Sequence, residues 1–403
     1  MKKLQLWQQI VIAIILGVLL GVFAPQFVPY IQFMGTIFLR LLKMLIAPLV
    51  LLTLISGVCK MGDIQQLKTV GIRIVAFYVI TSMIAAAIGM TFALISQPGQ
   101  GVTDLLTAEV GEAQEYSFLD NFINWIPDNI FAALTNGNTL QIIVFALFSG
   151  VVLLALGEKV KGLISIVDQG ADMMLKMTEM VMKISPFGIF ALIADMMTKL
   201  SGSMLMQVLN MIITDWIACI VVIFIMQLLL VKFLAKVNPL LFLKKISPAM
   251  IVAASTTSSA ATLPVSIDLA KNKLGVPEKI YGFTLPLGNT YNMNGMAVVI
   301  GVIAVFASNL YGYEISIGSM AQFVFLGLVL SIGAAGVKGA GIVMSTVLLQ
   351  TLGMPLTLVP ILAAIWPVID IPHTTANIAG DLAGTIVVAH SVNELDRTVL
   401  EAE

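Results

Sequence analysis

Residues 250–273 read MIVAASTTSSAATLPVSIDLAKNK, two apolar pieces on either side of the run Ser255-Thr256-Thr257-Ser258-Ser259. Each piece is about ten residues long, whereas a helix needs roughly twenty to cross ~30 Å of hydrocarbon. A backbone that turns at membrane depth is tolerated only where protein or a water-filled cavity covers it. The stretch therefore predicts a re-entrant helical hairpin with its tip at the Ser/Thr run. A second unit of this kind runs from Ala321 to about Leu352 and is broken at Gly333, Gly336, Gly339 and Gly341. These glycines allow backbone conformations that a regular helix forbids.

Each predicted hairpin precedes a full-length apolar segment with a polar middle. The first, 281–308, holds Asn289, Asn292, Asn294 and Gly295, and the second, 354–390, holds Asp370, His373, Thr374, Asn377 and Asp381. At 100° per residue the five polar residues of the second segment share one helix face. Carboxylates at membrane depth are costly unless they meet a cation, another segment or a water-filled cavity, so this stripe reads as a binding site for a cation or a charged solute. Hairpin then span, twice, with opposite entry sides, is an inverted-topology repeat. Such repeats point to a secondary transporter with its site at the repeat interface.

The rest of the chain fits a polytopic membrane protein. Of 403 residues 59% are hydrophobic and 11% charged, with a mean hydropathy of +1.01, outside the range of soluble domains. Further apolar segments lie at about 6–24, 30–59, 69–96, 138–157, 163–198 and 204–231. Lys2 and Lys3 precede the first, which reads as a retained helix and not as a cleaved signal. Lys60, Lys68, Arg73, Lys159, Lys161, Lys232, Lys236, Lys244 and Lys245 mark the cytoplasmic loops, while the stretch 98–137 carries six acids and neither Lys nor Arg. By the positive-inside rule the acidic loop is external and both termini are cytoplasmic, giving eight spans plus two hairpins in an all-α chain of the cell membrane. Cys59 and Cys219 have no His or second Cys at ligand spacing, which supports neither a disulfide framework nor a zinc site. A net charge of −1 gives no footprint for nucleic acid, so solutes, ions and lipid are the expected partners.

Several motifs have two readings. The Ser255–Ser259 run is either small-residue helix packing or a hairpin tip presenting N–H groups and hydroxyls to an anionic group. His373 is either a packing residue or a group that touches solute or titrates. Lys338 at the second tip reads as snorkelling. Asp381, with carbonyls freed where Asn292 to Gly295 unwinds, offers the oxygen ligands that a hard cation takes.

Taken together, Phe38-Leu-Arg-Leu-Leu-Lys-Met-Leu45 with Pro48-Leu-Val50, Ser258-Ser259 with Thr262-Leu-Pro-Val265, Asn292-Met-Asn-Gly295, Ser331-Ile-Gly-Ala-Ala-Gly-Val337 and Asn377-Ile-Ala-Gly-Asp381 resemble the dicarboxylate/amino acid:cation symporter family. That family includes the excitatory amino acid transporters and archaeal aspartate transporters. The resemblance covers nearly the whole chain and implies a homotrimeric elevator transporter. Scaffold helices one and two would occupy 1–65 and transport-domain helix three 66–100. The external loop and scaffold helices four and five would occupy 101–200, and the rest of the transport domain 201–403. It further implies that Asp370 holds a substrate ammonium, that Asn377 and Thr374 lie near the substrate's α-carboxylate and side chain, and that Ser258, Ser259, Val337 and Gly341 close over it. Asp381 with carbonyls of Gly288, Asn292 and Asn377 resembles one sodium site, and carbonyls of Thr290, Ser331, Ile332 and Ala334 resemble a second.

Three departures from the family's pattern set the expected substrate. His373 stands where acidic-substrate members carry arginine, which loses the bidentate fork and the permanent charge. Met296 stands where they place a threonine. Asn294 replaces the aspartate of the N-M-D-G run, which removes the negative charge from a third sodium site that Tyr78, Thr81, Ser82 and Asn292 would otherwise complete. Desolvation among Ile371, Pro372 and Ile378 is expected to keep the imidazole neutral. The expected function is sodium-coupled symport of a neutral amino acid, with no enzymatic activity and no organic cofactor. The alternative is symport of acidic amino acids or dicarboxylates, with or without a proton, through protonated His373 or Lys338. An ion channel fits less well, because two gated hairpins around one compact site suit alternating access. A hydrolase using Ser258 and His373 lacks any G-x-S-x-G motif.

Overall fold

The computed structural model describes residues 6–60, 68–102, 123, 126–199, 202–333 and 340–401. All regular structure among them is helical. The first helix, α1 (Leu6–Phe23), ends where Pro25 opens a short 3₁₀ turn, and the chain bends by 109° into α2 (Val28–Lys60). Proline removes the N–H that would continue the helix, which explains the corner. Next come α3 (Lys68–Ser96), the short α4 (Ile130–Asn136), α5 (Thr139–Leu156), α6 (Lys161–Lys183) and α7 (Ser185–Lys199). The apolar run 163–198, expected as one segment, is thus two helices. The break falls at Ile184, just before Ser185-Pro186, because Pro186 has no N–H to bond the carbonyl four residues earlier and suits the first turn of a new helix.

The sixth apolar segment is one long helix, α8 (Gly202–Ala235), with π-helical turns at Val222–Met226 and Val231–Ala235 on either side of Gln227. Beyond it, α9 (Pro239–Thr256) and α10 (Ser259–Asn272) pack together across the two-residue turn Thr257-Ser258. The first arm of this pair therefore starts at Pro239, well before the expected Met250. Asn238 caps it, with its side chain accepting from Leu240 N–H, and Pro239 sits in its first turn. Thr257 takes a left-handed conformation, φ +47°, that reverses the chain.

Next, α11 (Glu278–Tyr291) stops at Asn292-Met293 and α12 (Asn294–Tyr311) resumes. They are followed by α13 (Ile317–Gly333), α14 (Ala340–Thr351), α15 (Val359–Ser391) and the terminal α16 (Arg397–Glu401). The expected tip residues Ala334, Gly336, Val337, Lys338 and Gly339 lie outside the described residues.

Every residue of α12 except Asn309 is buried. It is held by α3, α13 and α15, with α8 alongside. The approach of α3 is close enough that a Cβ on Gly89 would lie 2.2 Å from the Val298 carbonyl oxygen, so only glycine allows these two backbones to meet. A second group of contacts joins α1 to α7 and α2 to α5, α6 and α7. Among the described residues four helical stretches are long and apolar enough to cross a bilayer: Thr69–Ser96, Gly202–Ala235, Glu278–Tyr311 and Leu356–Ser391. The bent pair Gln8–Phe23 and Pro25–Leu41 makes a fifth if it counts as one span.

Candidate functional site

The polar middle of α15 faces the unwound junction between α11 and α12. Pro367 and Pro372 lie inside α15, and each removes an N–H that would have bonded the carbonyl four residues earlier. The carbonyls of Ala363 and Val368 thus lose their regular intrahelical donors, although the helix runs on unbroken past Asp370 and His373. At the junction, Asn292 Nδ2 donates to Asp381 Oδ1 at 2.9 Å and to the Asn377 carbonyl at 3.3 Å. The Gly295 N–H donates to Asn377 Oδ1 at 2.8 Å, and Asn377 Nδ2 lies 3.2 Å from Met293 Sδ. Asn292, Asn294, Asn377 and Asp381 are all buried.

Tyr78 and Ser82 reach the same place from α3. The Tyr78 hydroxyl donates to the Thr284 carbonyl at 2.9 Å, and Ser82 Oγ donates to Asn294 Oδ1 at 3.3 Å. Thr81 turns back, its hydroxyl donating to the Tyr78 carbonyl at 3.2 Å. Gly288 completes the wall, since a Cβ there would lie 2.5 Å from Asp381 Oδ1 and 2.6 Å from the Tyr78 hydroxyl. Thr290 lies half-buried in the last turn of α11, and Ser331 and Ile332 lie in the last turn of α13. Helix ends of this kind leave carbonyls without intrahelical donors. Several side-chain atoms here are buried without a hydrogen-bond partner, among them Asn292 Oδ1, Asn289 Oδ1, Asn294 Nδ2 and both amide atoms of Gln227. Buried carboxylate and amide oxygens with spare lone pairs fit a hard monovalent cation.

The first tip uses its hydroxyls locally. Ser255 and Thr256 donate to the Val252 carbonyl, while Ser258 caps α10 by accepting from Ala261 N–H at 3.3 Å. Ser259 is buried in the first turn of α10. Asp370 is half-buried on α15, whereas Thr374 and Met296 are buried. Gly341, at the start of α14, packs flat on Trp366, where a Cβ would overlap the indole at 1.7 Å.

One partner escaped the sequence reading. His373 Nε2 lies 2.9 Å from Asp215 Oδ1 and 2.8 Å from Oδ2, across 158 positions of sequence. The imidazole is 1% and the carboxylate 0% exposed, so solvent competes with neither. Trp366 tilts against the imidazole with ring centroids 5.8 Å apart, and Gly295 presses on the His373 backbone. Cys219, one turn after Asp215, completes a buried trio whose ligand atoms lie within 4.8 Å of one another. The spacing rule did not show this neighbourhood of Cys219. The expected desolvation among Ile371, Pro372 and Ile378 left out the carboxylate that faces the ring. Its signal was present in sequence, because Asp215 is the one acid in the apolar segment 204–231 and intramembrane carboxylates are functional candidates by default. Gln227, between the two π-helical turns, was missed likewise, although π-bulges often mark functional sites.

A helical chain of membrane-length segments around a buried carboxylate and amide cluster defines a polytopic membrane protein built to hold a small solute or ion. The chain belongs to the sodium:dicarboxylate symporter family, whose model matches residues 6–391. It is similar to a proton/sodium-glutamate symport protein of Geobacillus stearothermophilus, 32% identical over 374 residues that cover 91% of this chain and 88% of the relative. A proton/glutamate-aspartate symporter of Escherichia coli is 28% identical, covering 90% and 85% of the two chains. A C4-dicarboxylate transport protein of Pseudomonas fluorescens is also 28% identical, covering 99% and 91%. Membership makes the chain a multi-pass membrane transporter of a family that couples a small solute to sodium or protons.

Proposed function

We propose that this protein is a sodium-coupled symporter of a neutral amino acid. The observation that carries this reading is the buried His373–Asp215 pair. Where the family resemblance puts a free arginine for the substrate's second carboxylate, this chain has a histidine whose charge, when protonated, is already matched by Asp215. A second carboxylate brought here would be buried without a counter-ion, at a cost of several kcal/mol. Asp370 supplies the partner for a substrate ammonium, and Asn377 and Thr374 lie on the same face of α15.

Sodium binds, in this reading, at Asp381 with the carbonyls of Gly288, Asn292 and Asn377. A second ion takes the carbonyls at the ends of α11 and α13, from Thr290, Ser331 and Ile332, together with Ala334. Asn294 leaves the third site, at Tyr78, Thr81 and Ser82, without its carboxylate. The chain works as a homotrimer with eight spans and two re-entrant hairpins, α9–α10 and α13–α14, both termini being cytoplasmic. The two groups of packed helices are the scaffold (1–65, 101–200) and the elevator-type transport domain (66–100, 201–403).

A second reading, symport of glutamate, aspartate or a dicarboxylate with proton coupling, is favoured by the functions for which the relatives are named. It requires protonated His373, or Lys338, to meet the second carboxylate.

Two variants test the ion site. Asp381→Asn removes its one carboxylate, so substrate binding to the purified protein is expected to lose most of its dependence on sodium, since linked affinities change reciprocally. Wild-type binding that ignores sodium would instead refute coupling. Gly288→Ala drives a methyl against Asp381 and Tyr78. Overpacking of this kind costs about 1–3 kcal/mol, and the sodium concentration for half-maximal substrate binding is expected to rise about tenfold. An unchanged sodium titration would place the ion elsewhere.

A further inference from the structure

Asp215 does more than balance charge. With Asp215 ionised, as the charge pair of the proposed function has it, its oxygens only accept, so the ring nitrogen that faces them, Nε2, carries the proton in either charge state of the imidazole. That leaves Nδ1 as the one ring nitrogen still to be matched, and it is buried with no hydrogen-bond partner among the described residues. Neutral imidazole makes Nδ1 an acceptor, and imidazolium makes it a donor. We infer that the substrate's side chain carries a hydroxyl or a carboxamide that hydrogen-bonds His373 Nδ1, with Asp215 as the residue that positions the ring and sets this specificity.

This inference rests on the neutral-substrate reading above and narrows it. A hydroxyl donates or accepts, and a carboxamide offers both functions, so either satisfies Nδ1 in both charge states. A purely apolar side chain satisfies it in neither and leaves a buried polar atom unmatched. A carboxylate satisfies only the imidazolium, and then two carboxylates face one cation. Replacing Asp215 by asparagine removes the fixed carboxylate. An acidic substrate can then supply the second charge, and the buried set has the same net charge as the wild type with a neutral one.

The test is binding of four probes to the full-length protein purified in detergent at fixed sodium: L-threonine, L-2-aminobutyrate, which is threonine without its hydroxyl, L-asparagine and L-aspartate. Wild type is expected to bind threonine or asparagine about tenfold or more tighter than 2-aminobutyrate. In Asp215→Asn the ratio of aspartate to threonine affinity is expected to rise about tenfold or more, whereas a merely structural role would weaken all four probes alike. The wild-type comparison stands even if the variant does not fold. Equal wild-type affinities for threonine, asparagine and 2-aminobutyrate, all above aspartate, overturn the inference and leave the neutral-substrate reading standing. A uniform loss in the variant overturns the role of Asp215. Aspartate as the tightest wild-type ligand overturns both.

Discussion

Asp370→Asn is expected to abolish amino-acid binding while the protein remains folded. Asp370 sits half-buried on the polar face of α15, three residues before His373 and four before Thr374. A substrate ammonium bound there would be left without its counter-charge. Removing one partner of a buried pair costs roughly 3–5 kcal/mol, or about two to three and a half orders of magnitude in affinity. Calorimetric titration of the purified variant in saturating sodium reads this directly. An affinity within threefold of wild type would remove Asp370 from the ammonium site.

The second large effect concerns substrate class and needs two changes together. From sequence alone, His373→Arg with Met296→Thr is the natural way to restore a carboxylate clamp. The structure changes that expectation, because Asp215 lies within 2.9 Å of the ring nitrogen and would capture the new guanidinium. His373→Arg alone is therefore expected to bind aspartate no better than wild type. Adding Asp215→Asn frees the guanidinium for the substrate, and a charge-assisted pair then favours aspartate over threonine by about 1.5–3 kcal/mol more than in the single variant. Competition between labelled threonine and unlabelled aspartate separates the two variants. Equal aspartate affinity in both would show that Asp215 does not neutralise position 373.

Much of this site was legible before any coordinates. An interruption within Asn292–Gly295, a chain reversal within Ser255–Ser259 and the shared face of Asp370, His373, Thr374, Asn377 and Asp381 follow from local signals: length, helical period and polar residues in apolar runs. The structure narrows the first to Asn292-Met293 and the second to Thr257-Ser258. In the fold, Asn292 donates to Asp381 and Asn377 accepts from the Gly295 N–H. What could not be read was which face of α8 meets α15. Asp215 is separated from His373 by 158 positions, and periodicity within one helix says nothing of its neighbour. The unwatched break at Ile184 has a local cause, Ser185-Pro186, that continuous hydrophobicity hid. Conversely, the hydroxyls of Ser255, Thr256 and Ser258 bond to their own backbone, as short polar side chains at helix ends commonly do. The Ser/Thr run is thus at once a cap and a tip.

The family relatives and the His373–Asp215 pair point to different solutes, and one measurement decides between them. Wild-type protein is reconstituted in liposomes with an inward sodium gradient, and uptake of labelled L-threonine and of labelled L-aspartate is followed at neutral pH. Threonine accumulation that collapses when the sodium gradient is removed, with aspartate left near background, is the result this account predicts. Sodium- or proton-driven accumulation of aspartate with no uptake of threonine would contradict it.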